Sequence, residues 1–196
     1  MNRYDQSGWV TPQPKTARTC YDIFKEINDR QITALMFHDQ MADLFWFMHL
    51  RGFAEMHERQ FLCESKGHRM TKKHYLKEHN KLLPDGELKD PDVLPDDWLK
   101  YTREDVTNQV RAQHIEKALM MYKQWEKETK ALYEHAVSEL VAMGNICDAK
   151  FVYCLVADVS EELKNLEEIC AKLRMNEDML AGAVGMQHWL HKEYKQ

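Results

Sequence analysis

The chain has 196 residues, enough for one domain with a sizeable core and short for two. Apolar residues make up 44% and charged residues 30%, with only 7 Gly and 5 Pro, the balance of a helix-rich globular protein rather than a disordered one. A net charge of -5 supplies no basic footprint for nucleic acid, so duplex DNA is not expected as a partner.

The five cysteines, Cys20, Cys63, Cys147, Cys154 and Cys170, are odd in number and form no C-x-x-C pair, which points to reduced thiols. No run of about 18 apolar residues is present, and the first residues hold no apolar core of signal-peptide length. A cytoplasmic protein with no membrane span is the expectation.

In chain order, residues 1–16 carry Pro12 and Pro14 without periodicity and read as an extended arm; residues 17–196 read as a single helical-bundle domain. From about Ala17 to Arg51, the residues Cys20, Phe24, Ile27, Ala34, Met41, Phe45 and Met48 follow three- and four-residue steps, the mark of a long helix. A second helical stretch from Phe53 to about Ser65 is expected to end near Gly67. The basic run from Lys66 to Lys81 and the acidic, proline-broken run that follows predict a long crossover over about 67–102. Thr102 and Asp105 resemble a helix start, so a third helix is placed over Arg103 to Met143. Gly144 and Asn145 stop it, a fourth runs from Ile146 to Met175, and a short final helix covers Asn176 to Tyr194.

Polar residues interrupt the inner stripes. The third helix has a seam of Ile115, Leu119, Tyr122, Glu126, Thr129, Tyr133, Ala136, Leu140 and Met143, with Glu126 and Thr129 its only strongly polar members. Beside the seam of the fourth helix, Asp158 and Glu162 share one side. Gln31 and His38 lie on the first helix's seam, and His57 and Glu64 on the second's. A buried carboxyl group must be protonated, hydrogen-bonded or bound to a cation, because desolvating an isolated charge is very costly.

The pattern from "WEKETKALYEHAVSEL" through the turn "MGN" to "DAKFVYCLVADVSEELKNLEEI" is similar to the second half of a ferritin-like bundle. "INDRQITALMFHDQMADLFWF" followed by "GFAEMHERQFLCES" is similar to the first half. The resemblance implies an all-α, ferritin-like antiparallel four-helix bundle with a long crossover and an extra C-terminal helix. It also implies a dinuclear iron or manganese site. Carried onto this chain, that site would use Glu126 (or Glu128 in a shifted register), Glu162 with Asp158, Glu64, and His38 and His57 as imidazoles. Two departures are visible: the first helix offers Gln31 or Leu35 where a glutamate is expected, and Glu-x-x-His occurs nowhere.

His188 and His191 are read as surface or docking residues, the aromatics and methionines mainly as core, and no nucleophile elbow, phosphate loop, dinucleotide fingerprint or zinc-finger spacing is present. Two functional expectations follow, neither with a catalytic residue assigned. One is a non-catalytic module whose inner polar cluster is structural and whose surface, including the Lys66 to Lys81 run and the last helix, contacts a protein partner or another copy of itself. The other is a di-metal carboxylate protein, with Fe or Mn held by Glu126, Glu162, Asp158, His38, His57 and Glu64, that handles iron, oxygen or peroxide.

Overall fold

The computed structural model describes residues 18–194 except 87, 96, 97 and 101, so the expected arm at 1–16 lies outside the described residues. The first helix, α1 (Cys20–Phe47), opens on a reciprocal capping box: the Thr19 hydroxyl accepts from the Asp22 backbone N–H, and the Asp22 carboxylate accepts from the Thr19 N–H at 2.8 Å. It stops four residues before Arg51 because the chain turns at His49, whose φ is 60°. The Leu50 N–H reaches back to the Phe45 carbonyl at 2.9 Å, and α2 (Arg51–His79) starts at once.

This second helix corrects the sequence reading. It passes through Gly67 and takes in nearly all of the basic run, ending only at Asn80 in the left-handed region. Thr71 and Tyr75, buried at i,i+4, hold those last turns against the bundle although the other residues there are mostly polar. The crossover therefore covers 80–107. The Thr102–Asp105 pair closes a local turn in which Thr102 N–H donates to the Asp105 carboxylate at 2.8 Å, while Thr107 caps α3 (Asn108–Ala142). Gly144, at φ 77°, makes the turn into α4 (Ile146–Arg174), and α5 (Met179–Tyr194) follows.

Helices α1 and α2 pack as one antiparallel hairpin and α3 and α4 as another. Arg18, just before α1, bonds Glu139 near the end of α3, and His74 and His79 at the end of α2 bond Asp148 at the start of α4. These contacts make α2 and α3 parallel, so the connection between them must travel the length of the bundle. It does so along α1: Asn28 donates to the Pro84 carbonyl, Gln40 bonds Asp90 and the Val93 N–H, and Trp98 packs on Phe47 with ring centroids 4.9 Å apart.

The remaining helix docks mainly on α2. A Cβ on Gly52 would lie 2.5 Å from the Gln187 carbonyl oxygen, so only glycine admits this approach. Gly52→Ala is expected to cost about 1–3 kcal/mol in urea unfolding, with α5 loosening first, because the clash is with backbone rather than with a movable side chain. Unchanged stability and unchanged amide exchange in α5 would show that the close approach is not needed.

The core is split in two. One apolar cluster holds Phe37, Met41, Phe45, Phe53, Ile115, Tyr122 and Leu166; the other holds Phe24, Ile27, Tyr133, Val152, Val156 and Val159. Between them, on every helix of the bundle, the apolar stripe is interrupted, and the interruption is where the candidate site lies.

Candidate functional site

Three glutamates from three helices meet in that gap: Glu64 on α2, Glu126 on α3 and Glu162 on α4. The first-helix position facing them is Gln31, 2% exposed, which settles the register against the half-buried Leu35. Glu126 is 1% exposed and Glu128 points out, where it bonds Gln124.

Burial dominates the electrostatics here. It lifts Glu64 to about 7, with the charge of Arg30 opposing and that of Asp158 assisting. It lifts Glu126 to about 8, with Glu64 adding to the effect and Arg30 opposing it. Glu162 is raised well above the usual carboxyl range, by burial first and then by Glu126 and Glu64. Among the described residues, neither oxygen of Glu126, nor Oε2 of Glu162, has a hydrogen-bond partner. Glu126 and Glu162 lie close enough for each to bear on the other's titration. Arg30 is occupied on the far side: it donates to Thr129 Oγ1 at 2.8 Å and to the Trp125 carbonyl at 2.7 Å while lying over the Trp125 ring.

The two imidazoles expected at the centre sit at its edge and pair with each other. His38 Nδ1 and His57 Nδ1 are 3.0 Å apart, so one ring donates and the other accepts. Both rings are fully buried among Phe37, Phe45 and Tyr122. Desolvation lowers His38 to about 3 and His57 well below its ordinary value, which keeps both neutral. His38 Nε2 lies 3.9 Å from Glu126 Oε1, too far for a hydrogen bond. Asp158 stands on the outer rim of the site.

Three residues after Glu64, where Glu-x-x-His would place an imidazole, the chain has Gly67. The space a Cβ would enter there lies 3.4 Å from Gln31 Nε2, so a carboxamide fronts the position. His68 turns to the crossover and bonds Asp85 at 3.0 Å. Among the described residues, no three His, Cys, Asp or Glu side chains gather closely enough to hold one metal ion. With glutamine and glycine at two of the positions and the histidines bonded to each other, these residues do not fit the dinuclear centre that the resemblance implied.

No protein-family profile matches the chain, and no curated protein does. Among solved structures it is similar to a ferritin from Archaeoglobus fulgidus, engineered into a closed form by site-directed mutagenesis, with a TM-score of 0.68 and 16% identity over 92% of this chain and 96% of that one. The fold is ferritin-like. No helix in the described part of this ferritin-like chain is long and apolar enough to cross a membrane.

Sequence reasoning found Glu64, Glu126 and Glu162 and missed what surrounds them. A hollow of about 320 Å³ opens from the centre between α2 and α4, lined by Gln31, Cys63, Glu64, Gly67, Tyr133 and Glu162, with Asp158, Glu161 and Asn165 toward the mouth. Gly67 is the available signal, although in sequence a glycine there equally suits a helix stop. The clasp of Asp148, 3% exposed, which accepts from His74 Nε2 and His79 Nε2 at 2.9 Å each, was also missed. His191 bonds Glu55 and so holds α5 on α2, while His188 is exposed.

Proposed function

We propose that this ferritin-like chain is a non-catalytic, self-associating bundle whose centre is held by protons rather than by metal. The observation that supports the reading is the state of Glu126 and Glu162: burial and neighbouring carboxyl groups raise both, and among the described residues neither oxygen of Glu126 nor Oε2 of Glu162 has a hydrogen-bond partner. A pair in that state is uncharged or singly charged near neutral pH and requires no cofactor to exist in a core.

Self-association is supported by apolar side chains displayed at one end of the α3–α4 hairpin. Val141 and Met143 precede the turn, and Ile146 and Tyr153, both more than 60% exposed, follow it at i,i+7 on one face of α4. A second copy is the simplest cover for such a surface, since closed two-fold dimers are the commonest soluble oligomers. Light scattering on the purified chain is expected to give a mass at or above two chains, and Tyr153→Lys with Ile146→Lys is expected to give one. A monomer at all concentrations would remove this part of the reading.

A second reading is favoured by the unpartnered oxygens of Glu126, Glu162 and Gln31, which are acceptors a cation would satisfy. It is the iron or manganese protein, in which Glu126, Glu162, Glu64, Asp158, His38 and His57 would have to draw together round the ion, since no three of them gather that closely in this structure. Plasma mass spectrometry on untagged protein decides between them. The proton-held centre predicts no stoichiometric iron or manganese in either the parent or Glu126→Gln; one ion or more per chain, lost in the variant, would establish the second reading.

A further inference from the structure

We propose that the hollow between α2 and α4 is a binding site for a small aliphatic diamine. The proposal rests on the metal-free reading of the centre and goes beyond it by giving the hollow an occupant.

Its lining is one-sided. Glu64, Glu161, Glu162, Asp158, Gln31 and Asn165 supply acceptors, and among the described residues no lysine, arginine or histidine borders the space. Gln31 is almost wholly buried, and its Oε1 has no donor among the described residues; Oε2 of Glu162 is in the same condition. Unpaired buried acceptors cost free energy unless something donates to them. The missing partner is thus a donor, and carboxyl neighbours favour one that carries positive charge.

Size then separates an organic cation from a metal ion. Metal bonds to oxygen of about 2.0–2.2 Å require donors drawn tightly round one point. The acidic side chains here do not gather that way. An ammonium group bridges acceptors that stand farther apart, through N–H···O contacts of about 2.7–2.9 Å. A hollow of about 320 Å³ is of the size that takes a small molecule. Gly67 leaves the wall beside Gln31 open, and α2 and α4 touch each other little along this side, so the hollow reaches solvent.

Two ammonium groups suit the lining better than one. Glu64 and Glu162 form an inner station whose carboxyl groups would release protons as an ammonium group enters, while Asp158 and Glu161, both exposed, form an outer one toward the mouth. A short methylene chain between them would lie along Leu155 and Val159, which also line the hollow.

Isothermal titration of the full chain with 1,4-diaminobutane tests this, with butylamine, 1,4-butanediol and Mn(II) as comparisons. Saturable binding of one diamine per chain is expected, weaker by about tenfold or more for butylamine and absent for the diol. Glu162→Gln is expected to abolish it. Asp158→Asn, on the exposed rim where folding is not at stake, is expected to weaken the diamine by about tenfold and leave butylamine unchanged. Diamine binding that is absent, or that Asp158→Asn leaves untouched, overturns the proposal while the proton-held centre stands. Stoichiometric Mn(II) binding that excludes the diamine overturns both.

Discussion

Thermal melts of this protein are expected to move to lower temperature as the pH rises from 6 to 9. The sign follows from the three central carboxyl groups. Burial raises Glu64 to about 7, Glu126 to about 8 and Glu162 well above the usual carboxyl range, whereas in the unfolded chain each ionises near 4.5. Between those limits the folded state binds protons that the unfolded state has released, so stability falls with rising pH. The contribution is fully present below about 4.5 and is lost as pH climbs through the folded values. One such group changes stability by roughly 1.4 kcal/mol per pH unit inside its window, so two pH units remove about 2–3 kcal/mol. For a chain of this size that is a fall of about 5–10 °C in Tm. Glu126→Gln, which keeps the shape and cannot ionise, is expected to flatten the slope. A Tm that holds or rises to pH 9 and drops on adding a chelator would show instead that a cation neutralises the carboxylates.

Removing the Asp148 carboxylate is expected to cost about 3 kcal/mol, more than any single surface ion pair in the molecule. Asp148 is buried, lies in the first turn of α4, and accepts from two histidines one and a half turns apart on α2. His74 is stacked on Phe151 with ring centroids 4.1 Å apart, and His79 on Tyr75 at 4.5 Å, so neither ring can swing away to find another acceptor without giving up its packing. The clasp also joins the two hairpins where α2 and α4 otherwise meet little. Asp148→Ala should therefore both lower the urea midpoint and expose the last turns of α2 to limited proteolysis. Loss of stability with no new cleavage there would mean that Thr71 and Tyr75 suffice to hold the helix end.

Much of the architecture was legible because α3 and α4 repeat apolar residues at three- and four-residue steps over about eight and about six turns, and a turn bearing Gly144 separates them. The last turns of α2 were not legible for a physical reason. Their basic residues face water on most sides, and what makes them helical is tertiary: buried Thr71 and Tyr75, and two bonds to an aspartate 69 and 74 positions away. At the centre, Glu126 showed itself by interrupting a seam of hydrophobic residues. The pairing of His38 with His57 did not, since each sits on its own helix at a position that suits a ligand equally well, and only the register between α1 and α2 brings the rings to 3.0 Å. Gly67 carried two meanings, stop and space, and the second depends on Gln31 across the interface.

The crossover along α1 also divides the molecule into two autonomous-looking helical hairpins joined by a tether. Each hairpin contributes carboxyl groups to the same plane, Glu64 from the first and Glu126 with Glu162 from the second, so neither half alone can bury its polar stripe with partners. Cutting the chain within 80–107 would turn folding into a bimolecular recognition between complementary fragments. The tether's service is then kinetic as well as geometric: by holding the halves at high effective concentration, it lets them find a pairing whose central layer, being polar, rewards only the correct register.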